Sequence, residues 1–376
     1  KEDKLESGEV NLVGLYDPEQ NGLTIDMWSA TDGKRINLLF NKIKKINLSE
    51  DAKIFLDIAL LTNAYFPKKN ITAEEFLELK SYYLIQNNDF NLIKKYLSSN
   101  RNIPSNSILV KYFLEEYLSN SDLKNACSIF DVVDFVEDDY LSKYKIYCLI
   151  NEGQKEEAQL ILDLKKELGF KDSFFENKFN FLMGYDSNEN LEISEKNILD
   201  FHLSHRTNSK FSFIPNQNTK KIIWKYLSSS NLLEEVDLID LNDVERIKTI
   251  EKATHEGNYT EKELLNLYKR FQFSINQLLT VNDTYKLLPS YEGRALLYQR
   301  LILTLDNKEK LNLSSKLKES FKNDEISNAF RVELSELLKN IKVEEIPSNY
   351  STFYETNLIN EKPKASKIKL NNKILH

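Results

Sequence analysis

The sequence predicts an all-α protein, a right-handed superhelical array of helix-turn-helix hairpins. Three observations predict it: turn-forming residues are scarce, a layout of two helices recurs every 32 to 33 residues, and helix starts carry capping signals. Only 9 Gly and 7 Pro occur in 376 residues. That is too few for a many-stranded sandwich or barrel, whose hairpins draw on them repeatedly. Hydrophobic residues make up 41% and charged residues 29% of the chain, enough to bury a core and too apolar for wholesale disorder. A chain of this length forms either two ordinary domains or one elongated array whose repeats pack on their neighbours.

Residues 1–48 read as an N-terminal segment with a capping helix. The turn Gly14-Leu15-Tyr16-Asp17-Pro18-Glu19-Gln20-Asn21-Gly22 leads to Ile25-Asp26-Met27-Trp28. Trp28 is read either as a recognition anchor, because buried aromatic residues carry interface energy, or as the side chain that docks this segment on the first hairpin. The second reading takes precedence, since the exposed end of a stacked array must be covered.

Residues 49–205 hold the strongest repeat signal. Phe76 to Ile85, the turn 86–89 and Phe90 to Leu97 form one unit. Ile108 to Leu118, the turn 119–122 and Leu123 to Val132 form a second, and Leu141 to Ile150, the turn 151–154 and Lys155 to Leu164 a third. Aligning Asp89, Asp122 and Gln154 places Ile93, Ala126 and Ala158 four residues on, and Leu97, Phe130 and Leu162 eight residues on. The intervals of 33 and 32 residues and these small and large apolar positions resemble degenerate tetratricopeptide repeats, whose period is about 34. The resemblance covers about a quarter of the chain and lies mainly in the second helices. It implies close hairpin packing at Ala126 and Ala158.

Thr72-Ala73-Glu74-Glu75 and Thr260-Glu261-Lys262-Glu263 read as capping boxes. Polar stretches at 185–195 and 206–219, the latter with Pro215, read as loops. Beyond them, residues 219–342 are expected to hold further repeats, with helices over Tyr291 to Leu303, Lys308 to Phe321 and Ile326 to Ile341. Residues 343–376 read as an irregular tail in which Ile368-Lys369-Leu370 and Lys373-Ile374-Leu375 form a small hairpin or no fixed structure. Dividing the chain by the repeat size gives about 14 to 17 helices.

The net charge of −7 argues against nucleic-acid binding, which needs a surplus of cations. The basic clusters are short: Lys42, Lys44 and Lys45, then Lys364, Lys367 and Lys369. No run approaches the roughly 20 apolar residues of a transmembrane helix. Cys127 and Cys148 fall on adjacent elements and admit a disulfide, but two buried thiols are the favoured reading. His202 and His205 with Asp200 lack further metal ligands and read as polar surface. Arg294, in the helix that starts after Pro289 and Ser290, reads as a surface arginine or as a groove residue that holds a partner carboxylate. Paired carboxylates such as Glu115-Glu116 and Glu156-Glu157 read as solvated faces, because adjacent helical residues diverge. No phosphate loop, dinucleotide-binding, nucleophile-elbow or metalloprotease motif is present.

The Asp17 to Gly22 turn, the Asp26-Met27-Trp28 step and the segment Arg294-Ala295-Leu296-Leu297-Tyr298-Gln299 resemble a poorly characterised set of alphaproteobacterial helical-repeat proteins. That resemblance implies an export signal and a periplasmic location, with the cytoplasm as the alternative, and it fits a start at Lys1 without Met. The functional expectation is a non-enzymatic scaffold that receives a protein or peptide segment, with no cofactor and no metal. Trp28, Tyr83, Tyr117, Arg294 and Tyr298 are the candidate partner-binding residues. The rival is a helical-toroid enzyme or enzyme subunit acting on cell wall or polysaccharide, whose acid and base lie far apart in sequence.

Overall fold

The computed structural model describes residues 12–46, 48–101, 103, 106–133 and 138–359. Among them every long element is helical, and the only β-type pairings are two isolated bridges, Tyr16 with Thr62 and Asp32 with Lys69. The hairpin expected at Ile368 to Leu375 lies outside the described residues. The chain divides into two compact units: Lys1–Ser212 with Lys220–Ser230, and Phe213–Thr219 with Asn231–His376.

The first unit holds α1 (Gly33–Ile43), α2 (Glu50–Leu61), α3 (Ala73–Asn87), α4 (Phe90–Ser99), α5 (Ser107–Ser119) and α6 (Leu123–Cys127). It continues through α7 (Asp139–Asn151), α8 (Lys155–Glu167), α9 (Ser173–Met183), α10 (Ile198–Arg206) and α11 (Lys221–Ser229). The three sequence hairpins are α3/α4, α5/α6 and α7/α8. Their turns share one backbone solution. Asn88, Ser121 and Gly153 each take a positive φ, 52°, 59° and 82°, one residue before the N-caps Asp89, Asp122 and Gln154. The Asp89 and Asp122 carboxylates accept from the amides of Leu92 and Asn125, satisfying donors that a helix start leaves orphaned. Ile93, Ala126 and Ala158 are all buried, as are Leu97 and Leu162, while Phe130 is half-buried. The α-helical part of the second hairpin's second helix is shorter than expected. α6 gives way at Ser128 to a 3-10 turn, Ser128–Asp131, and the Ser128 hydroxyl donates to the Asn125 carbonyl, a local bond that competes with regular helix.

An open array packs each repeat only on its neighbours, but α5 touches α10 and α11 as well as α3, α4, α6 and α7. Side-chain bonds fix this return: Lys225 Nζ to Glu116 Oε2 at 2.5 Å and Ser229 Oγ to the Ser119 carbonyl at 2.8 Å. At the start of the unit, residues 13–16 are threaded against the hairpins. Leu15 and Tyr16 donate to the Leu61 carbonyl, and Asn100 brackets Gly14 through both its N–H and C=O. A Cβ at Gly14 would sit 2.6 Å from backbone atoms of Leu61, Thr62 and Asn63, so only glycine admits this approach.

The second unit holds α12 (Val244–His255), α13 (Glu261–Lys269), α14 (Ile275–Leu279), α15 (Val281–Thr284) and α16 (Ser290–Leu303). α17 (Asn307–Asn323), α18 (Val332–Lys339) and α19 (Ser351–Asn357) complete it. α16 pairs with both α17 and α13, and Leu264, Leu267, Leu296, Leu297, Leu313, Leu317 and Phe321 fill the space between them. Both predicted capping boxes form, at Thr72/Glu75 and Thr260/Glu263. A third, Ser274/Gln277, starts α14. Two expectations change. The helix expected over Ile326 to Ile341 divides into a 3-10 turn, Ser327–Phe330, and α18. The tail expected to be irregular from residue 343 contains α19, which packs on α18. The short segments α14, α15 and α19 are why the helices outnumber the 14 to 17 obtained by dividing the chain into repeats.

Candidate functional site

Trp28 packs on Phe76 of α3, ring centroids 5.7 Å apart, within a cluster built by Ile36, Phe40, Leu60, Phe76 and Tyr83. The structure therefore brings Trp28 and Tyr83 to one cluster. Tyr83 is buried in it, and its hydroxyl donates to Asp57 Oδ1 at 2.7 Å. Asn87 donates to the same oxygen. Burial raises the Asp57 carboxyl above its ordinary value against the pull of these bonds. Tyr117 is half-buried and packs between Phe90 and Phe113, at 4.9 and 4.7 Å.

Lys80 lies beneath the same N-terminal segment with no exposed surface. Its ammonium donates to the Val13 carbonyl at 2.6 Å and faces the rings of Phe76 and Phe66, 5.2 and 5.9 Å from their centroids. Burial alone pushes it down to about 7.

His202, Asp200 and the neighbouring ionisable groups form a buried network rather than the polar surface expected of them. Tyr147 and Tyr226 hydroxyls lie 2.8 and 2.9 Å from His202 Nε2 and Nδ1, and His205 Nδ1 is 2.7 Å from the Tyr226 hydroxyl. Burial pushes His202 down to about 3, with Arg206 and His205 adding to the effect. The ring is neutral at pH 7, and both nitrogens are occupied by tyrosines, one donating and one accepting. Asp200 instead holds the buried Lys143 ammonium, which also binds Asp172, at 3.0 and 2.8 Å. No group of three or more His, Cys, Asp or Glu side chains capable of holding a metal ion occurs among the described residues.

Cys127 and Cys148 form a disulfide joining α6 to α7, with the alpha carbons 5.5 Å apart. This corrects the favoured reading of two buried thiols. The hairpin stack carries Cys127 on a second helix and Cys148 on the following first helix into bonding range.

In the second unit Arg294 is 1% exposed, so neither the surface nor the groove placement describes it. Its guanidinium grips Glu251 through Nε and Nη2, at 2.9 and 2.6 Å, and Asp324 through Nη1, at 2.6 Å. The Phe321 ring lies 5.2 Å from Cζ, and the Tyr268 hydroxyl donates to Glu251. Burial pushes the Asp324 carboxyl up, but bonds from Arg294 and Ser290 outweigh it and leave it below its ordinary value. Tyr298, one turn on from Arg294, is buried. A cleft of about 680 Å³ opens above this centre, lined by Lys248, Lys252, His255 and Ser290 beside Glu251 and Asp324. Glu251 and Asp324, which both line the cleft, are held by the one arginine.

A further surface feature lies on α8. Leu160 and Leu164 on α8, and Leu168 at its C-cap, are 58%, 50% and 83% exposed and recur every four residues, so the two helical leucines form one ridge that Leu168 continues past the helix end. Ala158 and Leu162 on the same helix are fully buried. The spacing is visible in the sequence; that this side of α8 faces solvent is not, because it depends on which elements pack against the helix.

No protein-family model, no curated protein and no solved structure matches this chain. The three hairpins between Thr72 and Gly169 share the register in which Asp89, Asp122 and Gln154 are N-caps.

Proposed function

We propose that this protein is a non-catalytic scaffold that receives an amphipathic helix of another protein on a tetratricopeptide-like hairpin stack. The observation that carries the reading is the leucine ridge of α8. A four-residue repeat of exposed leucines is the pattern by which one helix receives the apolar face of another, and three such side chains in line on a water-facing helix are a contact surface in waiting. Glu156 and Glu157 stand exposed at its N-terminal end, which favours a partner helix with basic residues beside its apolar face. A second support is that Lys143, Asp172 and Asp200, and likewise Glu251, Arg294 and Asp324, are engaged with one another as internal ties. A right-handed superhelical course for the three hairpins belongs to this proposal. So does a periplasmic location, which the disulfide favours because such bonds persist in oxidising compartments.

The test compares wild type with Leu160→Asp/Leu164→Asp, after circular dichroism has shown that the variant is folded. Affinity purification from the native host should recover a protein with wild type and lose it with the variant, and the purified pair should reproduce that difference. A partner retained equally by both proteins removes α8 from the reading. Recovery of a bound glycan and no protein would favour the cell-wall enzyme.

A further inference from the structure

The chain as a whole is acidic, yet residues 33–46 contain five cations, Lys34, Arg35, Lys42, Lys44 and Lys45, and no acidic residue. All five side chains are exposed, and none has an ion pair or side-chain hydrogen bond among the described residues. Some other lysines of the first unit are drawn into pairs, as Lys165 is with Asp139 and Lys225 with Glu116. A cluster left unneutralised in a molecule of net charge −7 calls for an anionic counterpart from outside.

The same face carries exposed aliphatic side chains. Leu38, Leu39 and Ile46 are 54%, 47% and 60% exposed. On the helix Leu38 is flanked by Lys34 and Lys42, four residues before and after it, and by Lys45, seven residues after. Ile36 and Phe40 occupy the opposite face and are buried in the Trp28 cluster. The helix is therefore held by one side and presents the other, already ordered. Its eleven residues span about 16 Å, with cations at both ends, a distribution suited to lying flat on a surface.

We propose that α1 and the turn after it bind the surface of an anionic lipid bilayer. Two features decide the class of partner. Phosphate charge alone would satisfy the cations, but the leucines between them gain nothing from a nucleic-acid backbone. A membrane interface takes both at once, with apolar side chains at the boundary of the acyl region and cations among the headgroups. An acidic protein segment satisfies the charge without requiring the dependence on aliphatic insertion.

The test is co-sedimentation of the full chain with vesicles of phosphatidylcholine, with and without phosphatidylglycerol. Wild type should partition onto the anionic vesicles and not the neutral ones, with partitioning falling as salt is raised. K42E/K44E/K45E should lower the partition coefficient by at least about a hundredfold, since loss of three cations at about 1 kcal/mol each already does so before their reversal is counted. Leu38→Ser/Leu39→Ser should weaken it while leaving every charge in place. Thermal unfolding of both variants should match wild type, because none of the substituted side chains is tied to the fold. Failure of wild type to sediment, equal binding to both vesicle types, or no effect of the charge reversal overturns the proposal. Retained affinity in the leucine variant, together with equally tight binding to soluble polyglutamate, also overturns it and assigns the patch to an acidic polypeptide. The outcome is independent of α8, whose leucines neither variant touches.

Discussion

Lys80→Met should make the first unit more stable at neutral pH, and the size of the effect follows from what surrounds the ammonium. Among the described residues no carboxylate pairs with it; its neighbours there are one carbonyl oxygen and two aromatic rings. Burial lowers its titration from 10.5 to about 7. In the unfolded chain the lysine keeps its ordinary value, so between pH 7 and 10.5 the unfolded state binds more protons. Stability must then rise with pH across that window, and the penalty is fully present below pH 7. At roughly 1.4 kcal/mol per unit, the ceiling is about 5 kcal/mol, to be set against about 1 kcal/mol for leaving the Val13 carbonyl without a donor. A gain of about 2 to 4 kcal/mol near pH 7 is expected for the methionine variant. Near pH 10.5 the gain should vanish and reverse slightly. Urea titrations of the two proteins at several pH values measure this directly. Tyrosines raised by burial, such as Tyr96, act in the opposite sense above pH 10 and cancel in the difference between the two proteins. Parallel stability curves for wild type and variant would refute the reasoning, since they would mean that Lys80 carries no burial penalty.

Three further outcomes follow from the packing. Arg294→Leu leaves Glu251 buried without its partner and should cost about 3 to 5 kcal/mol by denaturant midpoint; an unchanged midpoint would mean that the Glu251–Arg294–Asp324 centre is not a structural tie. Replacing both Cys127 and Cys148 by Ser opens a crosslink that spans 21 residues and should cost about 3 kcal/mol, while thiol titration of the denatured, unreduced wild type should find no free thiol. Ala158→Leu forces a larger side chain into a position with no exposed surface and should cost about 1 to 3 kcal/mol. Equal thermal stability of this variant and Ala126→Leu with wild type would break the hairpin register.

What could be read in the sequence was local. The turn anchors Asp89 and Asp122 act within three residues of themselves, and the capping boxes at Thr72 and Thr260 close within the first helical turn, so spacing alone locates them. The start of α16 is announced by Pro289 and Ser290 ahead of an apolar run. What could not be read depends on distance. Arg294 looks like a surface residue because charges are ordinarily exposed, and its burial is made tolerable by Glu251, 43 residues before it, and Asp324, 30 residues after it. His202 looks like polar surface until α7 and α11 supply Tyr147 and Tyr226 to its two nitrogens. The return of α11 to α5 rests on pairs about 110 residues apart, which no repeat period encodes.

The same contrast explains why the five candidate contact residues and the two proposed surfaces fall in different places. Trp28, Tyr83, Arg294 and Tyr298 stand out in the sequence through side-chain chemistry, large aromatic rings and a forked cation. Those properties are also what a helical core uses to tie distant segments together, and Trp28, Tyr83 and Arg294 are engaged in that way, while Tyr298 is buried. A surface that waits for a partner shows the opposite signature: side chains that would gain from burial or pairing and have neither. Leu160, Leu164 and Leu168 meet that criterion through apolar area, and Lys34, Arg35, Lys42, Lys44 and Lys45 meet it through charge. Both sets are regular in sequence, at four-residue spacing in one and within a stretch without acids in the other. In a chain of this kind, unmet potential is therefore a better guide to the working surface than conspicuous residue type.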